Sequence, residues 1–346
     1  MDLLIYDENF KLLGIVDTGS SVIWANRYRQ CGDFELYVPT SAQLLELLQE
    51  DRFVGRSDDE MLCIIEKVVA TTDEENGDYM TVTGRCVRSI LDRRIVWDQT
   101  AMSGTVENVL RRLVTDAFIS PAIPERKYDK LVLAPAHGYT ETISTQYTGD
   151  NVLTAVEELC AAYNYGFKIT LQDGLLVVDF YKGVDRSVNQ EENIPVVFSE
   201  EYDNLTASTY TKDKTAYKSV VLVAGEGEGS ARRRAVVARS TDLSGLQRRE
   251  LFVDAKDISS NDGEITDLEY YDQLAERGRT SMAEAARVES MEGTVEPRQM
   301  YTYGKDYNIG DTVSVITKYG VHATTQPLEV VEVWDENGYT CTPTFG

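Results

Sequence analysis

The hydrophobic period changes near residue 105 and changes back near 197, and this switch constrains the fold more than any other feature of the chain. Val106, Val109, Leu110, Leu113, Val114 and Ala117 recur at i, i+3, i+4, i+7, i+8 and i+11, which is one apolar face of a helix. After a loop holding Pro121, Pro124 and Pro135, the residues Val152, Leu153, Val156, Leu159, Cys160 and Tyr163 repeat that period, opened by Asp150 and stopped near Gly166. Phe167–Leu171 and Leu175–Tyr181 then flank Gln172-Asp173-Gly174 as a hairpin.

Both flanks read differently. Leu3–Tyr6, Leu12–Val16, Val22–Tyr28 and Phe34–Val38 are short apolar or β-branched runs broken by turn residues. Thr40-Ser41-Ala42-Gln43 is a capping-box pattern ahead of Leu44, Leu45 and Leu48, which predicts a short helix ending near Asp51. Met61–Thr71 and Tyr79–Val87 read as a hairpin around Asn76-Gly77. Beyond 198, Ser219–Ala224 and Ala235–Arg239 read as a second long hairpin. Thr266-Asp267-Leu268-Glu269 opens a helix to about Ala286, and Asp311–Ile316, Leu328–Trp334 and Tyr339–Pro343 read as strands. The expected class is α+β, mainly β, in three parts. These are a β domain over 1–105 that strands after 198 could complete, an inserted α+β domain over 106–197, and a second β domain over 198–346 with one helix near 266–286. No repeat of solenoid period is present.

Composition narrows the function. Apolar residues make up 42 % of 346, enough for real cores. Against 34 Lys and Arg stand 58 Asp and Glu, a net charge of −24. A surface that acidic argues against a binder of nucleic acid or anionic membrane, and does not exclude a channel through which nucleic acid passes without sticking. No run reaches the ~18 apolar residues of a membrane span, and the first seven residues lack the basic start of a signal peptide. Five scattered cysteines (31, 63, 86, 160, 341) without a CxxC read as reduced thiols packed like small hydrophobes. With only His137 and His322, histidine-based catalysis or metal binding is starved of ligands. Twenty Tyr against nine Phe hint at assembly surfaces.

The motifs that suggest chemistry have plainer readings. Ile15-Val16-Asp17-Thr18-Gly19-Ser20-Ser21, with Trp24 beyond it, resembles the first active-site stretch of pepsin-like aspartic proteases. That chemistry needs two aspartates sharing a proton, and no second Asp-Thr-Gly or Asp-Ser-Gly occurs, so Asp17 reads as a turn residue. Gly225-Glu226-Gly227-Glu228-Gly229-Ser230 lacks dinucleotide spacing and carries two carboxylates that would repel phosphate; it reads as a flexible hairpin tip. Arg232-Arg233-Arg234 reads as either an anion patch or an inter-subunit salt-bridge site. Asp257 to Gly263 misses the register of a calcium loop and its final Glu. His137 reads as a surface loop residue, and His322 follows a glycine between strands. No catalytic, cofactor-binding or metal-binding residue is assigned, and no enzyme activity or cofactor is expected.

Along its whole length the chain resembles the siphophage tail-tip hub family, the tail-associated (Tal-like) baseplate proteins. The resemblance is carried by Leu13–Asp17 with Trp24, Cys31–Pro39, Val82–Arg85, Leu91–Ile95, Tyr181–Ser187, Phe198–Leu205, Val223–Gly229, Arg248–Ala255, Tyr303–Asp311 and Pro343–Gly346. It implies a virion structural protein similar to the hub of contractile myophage baseplates: a homotrimer with two tube-like β-barrel domains per chain, so that three chains continue a six-fold tail tube. The implied partners are the distal tail protein, the tail tube, the tape-measure protein and the tip or receptor-binding proteins, with DNA only in transit. The implied location is the virion tail tip, assembled in the host cytoplasm. Three copies at −24 each would gather about 72 negative charges around one axis. Longer relatives carry a lysin or fibre beyond the hub, which is not expected of this chain. A hub of a phage-derived contractile injection system is the alternative assembly, and an aspartic protease centred on Asp17-Thr18-Gly19-Ser20 the alternative enzyme.

Overall fold

A computed structural model describes residues 2–346 except 18–20, 73–76, 296–299, 318 and 321, and every described side chain but that of Ala207. Its backbone is one eleven-stranded antiparallel sheet with four smaller sheets around it. From edge to edge the large sheet runs Leu205–Asp213, Val288–Val295, Gly338–Phe345, Pro327–Asp335, Ser21–Arg27, Asp33–Pro39, Tyr79–Cys86, Leu62–Thr71, Phe53–Arg56, Leu3–Tyr6 and Leu12–Val16. The two ends of the chain meet in its middle, where Glu329 to Trp334 are registered against Arg27 to Val22.

The α+β, mainly β class is the one observed. The expected closed barrels are not: among the described residues no strand pair joins one edge of the large sheet to the other. The reason lies in Pro327–Asp335. Its two edges are taken by Ser21–Arg27 and Gly338–Phe345, so neither remains to pair with Phe53–Arg56. The sheet nevertheless curls. Phe53–Arg56 stands five places from Pro327–Asp335, roughly 24 Å away in a flat sheet. Yet Arg56 Nη1 lies 2.7 Å from Glu332 Oε2. Side chains bridge the gap that main-chain pairing leaves open.

Each curl encloses its own core. The N-terminal strands wrap Leu3, Ile5, Val22, Trp24, Phe34, Leu36, Val54, Ile65 and Val82. At the other end of the sheet, together with Val197–Ser199, Val313–Ile316 and His322–Thr325, the core is aromatic: Phe198 packs against Tyr301, Tyr307 and Phe345 with ring centroids 5.1–5.8 Å apart. Between Val106 and Tyr181, two helices and the small sheet of Leu131–Leu133, Gly166–Gln172 and Leu175–Tyr181 share a third core with Leu62 and Ile64. The fourth core lies where the Asp267–Glu284 helix packs on the sheet of Val220–Ala224, Arg234–Ala238 and Glu250–Asp254.

The helix ends follow capping chemistry. Thr105 accepts from Asn108 N at the start of Val106–Val114, and Thr266 with Glu269 completes a capping box. The first short helix begins one residue later than its pattern suggested, because Ser41 rather than Thr40 caps Leu44 N, and it is only Ala42–Leu47. The Val152–Tyr163 helix is capped by Asn151 and stopped by Asn164, whose φ of 55° is left-handed. Asn tolerates that conformation, so Gly166 is free for a different task. It starts the next strand against the Tyr28 ring, where a Cβ would sit 2.1 Å from Tyr28 Cε2.

Candidate assembly site

Three segments converge around Tyr28, and two of them carried the family resemblance. The Tyr28 ring is fully buried between Gly166 and Gly310, where an added Cβ would meet ring carbons at 2.1 and 2.2 Å. Its hydroxyl accepts from Gly183 N at 3.2 Å. Beside it Tyr181–Ser187 meets Tyr303–Asp311. Asp311 accepts from Val184 N at 2.8 Å, from Arg186 Nε at 3.0 Å and from Asn308 N at 2.9 Å. A cavity of about 1080 Å³ opens at this junction, lined among others by Arg56, Arg88, Lys182, Tyr303 and Trp334.

The charges around it are internally matched. Arg56 reaches Asp58 at 3.0 Å, Asp59 at 3.5 Å and Glu332 at 2.7 Å, and lies 4.2 Å over the Trp334 ring. Tyr339 donates to Glu332 at 2.7 Å, and Trp24 Nε1 to Asp59 at 2.9 Å. Burial works against the Arg56 charge, but Asp58 and Glu332 more than offset it and hold the guanidinium pKa above its usual value. The buried Arg88 donates to the carbonyls of Arg27 and Phe167 and to Asn26 Oδ1, at 2.7–3.0 Å. A site so saturated with its own partners positions backbone segments.

The surfaces left without partners lie at the sheet edges. Leu12–Val16 is one edge of the large sheet, and Leu12, Leu13 and Ile15 are 47 %, 42 % and 53 % exposed. An apolar, solvent-facing edge strand is a template for pairing with another chain. The opposite edge, Leu205–Asp213, is polar. A second apolar face lies on the small C-terminal sheet, where Val236 and Phe252 flank Leu222 in register and are 63 % and 57 % exposed.

The residues singled out from the sequence are scattered. Asp17 is exposed at the end of Leu12–Val16, and Thr18, Gly19 and Ser20 lie outside the described residues. Trp24 is a core residue. The 225–233 loop does join two paired strands, but it is not a free tip. Glu226 N donates to Tyr270 Oη at 2.7 Å, and Glu226 accepts from Ser260 N at 2.7 Å. Arg232 pairs with Asp254, and Arg233 with Asp267 while lying 3.9 Å over the Tyr270 ring, so acids of the same chain hold these two; the exposed Arg234 donates to the Gly229 carbonyl. Asp257 accepts from Arg277 at 2.7 Å. His137 Nε2 lies 2.9 Å from Asp179, and His322 opens an exposed strand. Asn76 lies outside the described residues, while Gly77 has a φ of 83°. Tyr28, Tyr165, Tyr270 and Tyr307 are fully buried, so much of the tyrosine excess is packing. The sequence reading passed over Arg56, Glu332 and Tyr28. Arg56 alone carried a signal, lying two residues before Asp58-Asp59.

The fold is thus a curled antiparallel sheet with smaller sheets and helices packed on it and one apolar edge exposed. The chain belongs to the family described as Siphovirus ReqiPepy6 Gp37-like protein, whose model matches residues 2–346. Its fold is similar to that of three solved structures. The 43 kDa tail protein of prophage MuSo2 from Shewanella oneidensis aligns with a TM-score of 0.61 at 13 % identity, covering 100 % of this chain and 98 % of that one. The tail protein from Neisseria meningitidis MC58 aligns at 0.57 and 14 % identity, covering 99 % and 95 %. The prophage tail protein gp18 from Listeria monocytogenes EGD-e aligns at 0.56 and 13 % identity, covering 99 % and 94 %. No curated protein matches by sequence. Among the described residues no helix is long and apolar enough to cross a membrane.

Proposed function

We propose that the chain is the trimeric hub of a phage tail tip or baseplate, which closes or extends the tail tube and organises the tip for passage of DNA. The observation that carries this reading is the open eleven-stranded sheet with its unpaired apolar edge at Leu12–Val16. Leu205–Asp213 is unpaired at the other edge, so the polar edge of one copy can receive the apolar edge of the next. A head-to-tail contact of that kind closes into a ring when its rotation permits. The two curls within each chain would then stand as six around a three-fold axis. The net charge of −24 suits a lumen that does not hold phosphates.

On this reading the chain divides into the 1–105, 106–197 and 198–346 domains, with Pro327–Asp335 completing the first. It contacts the distal tail protein, tail tube, tape-measure protein and tip or receptor-binding proteins, sits in the virion, and assembles in the host cytoplasm without catalysing a reaction. The test is the mass in solution by light scattering, with the symmetry of the particle that contains the chain. A trimer mass or a three-fold particle is expected, and Ile15→Lys should shift the mass toward monomer. A monomer at all concentrations, together with a particle lacking three-fold symmetry, would falsify the hub.

A further inference from the structure

Five free cysteines fall into two kinds. Cys63, Cys160 and Cys341 are buried, and burial raises their thiol pKa values. Cys31 and Cys86 are different, because their sulfurs lie 3.2 Å apart. Cys31 stands in the turn between Ser21–Arg27 and Asp33–Pro39 and is half-buried; Cys86 ends the Tyr79–Cys86 strand and is fully buried. The backbone between them is already clamped, with Cys86 N donating to the Gly32 carbonyl at 2.7 Å.

The Cys86 sulfur collects donors. Gly32 N points at it from 3.2 Å and Arg88 Nε from 3.1 Å, and the Cys31 sulfur lies 3.2 Å away. Burial opposes ionisation of Cys86, but the Cys31 hydrogen bond and the Arg88 charge outweigh it, and the thiol is driven below its ordinary pKa. The Cys31 thiol moves the other way, because its hydrogen bond with Cys86, and after it partial burial, disfavour its ionised form. The donors around Cys86 thus favour ionisation of that sulfur over its neighbour's, and Cys31 is the one of the five that is not buried.

We propose that Cys31 and Cys86 are an oxidation site that closes to an intramolecular disulfide when the folded chain meets a low-molecular-weight disulfide. The half-buried Cys31 exchanges first: it passes its proton to the Cys86 sulfur 3.2 Å away, its thiolate bonds to one sulfur of the reagent, and the reagent S–S bond breaks to release one reagent thiolate. That thiolate takes the proton from Cys86, and the Cys86 thiolate then attacks Cys31 Sγ and expels the second reagent thiolate. Two protein thiols are oxidised and one reagent disulfide is reduced to two thiols. Closure ties the 28–32 turn to the end of the Tyr79–Cys86 strand. It also removes the thiolate that faces Arg88, leaving that guanidinium the neutral oxygens of Arg27, Asn26 and Phe167.

The test is peptide mapping of the native, folded chain after treatment with glutathione disulfide and trapping of the remaining thiols. A Cys31–Cys86 linkage in most molecules is expected, with Cys63, Cys160 and Cys341 recovered as trapped thiols. Cys63→Ser should leave the linkage intact, and Cys86→Ser should stop the reaction at a glutathione adduct on Cys31. Wild-type mapping needs no variant to fold. A linkage of Cys63 with Cys86, a lasting glutathione adduct on wild-type Cys31, or five unmodified thiols under conditions that oxidise the denatured chain would each overturn the proposal.

Discussion

Two of the seams that hold the C-terminal part of the molecule to the rest differ in their physics. At the first, Pro327–Asp335 is hydrogen-bonded along Ser21–Arg27 through a continuous register, and Arg56–Glu332 ties the curl from its far side. At the second, the Asp267–Glu284 helix packs against the Val152–Tyr163 helix and the Thr142–Tyr147 strand. The hydrogen bonds across this seam come from side chains. The Tyr163 hydroxyl lies 2.8 Å from both oxygens of Glu276, and Gln146 reaches Gln273 at 3.3 Å and Ser259 N at 2.8 Å; Arg279, on the same helix as Glu276, holds that carboxylate in place. A ladder must break many bonds together, whereas side-chain contacts can be lost one at a time. The first seam therefore fixes how the curls sit together, and the second is where the helical modules can part.

The largest effect that tests this contrast is at Arg56. Arg56→Met keeps length and apolar stem but leaves Glu332 and Asp59 facing each other's charge without the cation. Removing one partner of a buried ion pair costs about 3–5 kcal/mol, so the denaturation midpoint should fall sharply. Amide exchange along Pro327–Asp335 should quicken more than in the Asp267–Glu284 helix. Equal quickening in both would mean that the seams are one cooperative unit and would erase the distinction.

Next is Tyr163→Phe. It deletes the hydroxyl that Glu276, 1 % exposed, holds with both its oxygens, leaving Arg279 as the carboxylate's remaining donor among the described side chains. Leaving a buried acceptor short of donors costs about 1–3 kcal/mol, less than the loss of Arg56. Urea denaturation of both variants decides the order. If Tyr163→Phe is as costly as Arg56→Met, the helix seam is not the weaker one.

The two seams were unequally legible in the sequence. The helices of the second announced themselves, because an amphipathic period and a Thr266–Glu269 capping box are local signals. The strands of the first were legible as strands, but their partners were not. Val22–Trp334 pairing joins residues some three hundred positions apart, and nothing local in Ser21–Arg27 names Pro327–Asp335. Arg56 was invisible for the same reason, since a buried arginine is recognised by the carboxylate it meets. The glycines show the limit most plainly. Gly166 looked like a helix stop and is instead the space a Tyr28 ring requires. The matched stretches Tyr181–Ser187 and Tyr303–Asp311 did mark the junction, because a family resemblance records tertiary constraints that periodicity does not.

The smallest effect concerns Glu158, which faces Glu284 across the second seam. Burial, and after it the Glu284 charge, raises the Glu158 carboxyl pKa above its ordinary value, with Arg277 partly opposing. A raised carboxyl pKa means that the fold favours the protonated acid, so ionisation works against folding. Below the ordinary glutamate value of 4.5 the group is protonated whether folded or not, and it adds no penalty. The penalty grows as pH rises through 4.5 and is complete once pH passes the higher value of the folded state. Glu158→Gln should therefore raise the unfolding midpoint at pH 7 by less than either loss above, and leave it unchanged near pH 4. Because Glu284 supplies part of the penalty, Glu284→Gln should shrink the gain that Glu158→Gln gives at pH 7. A full gain in that second background would leave desolvation alone as the cause. The helix seam would then be indifferent to charge, and the contrast with the Arg56 seam would be one of backbone pairing only.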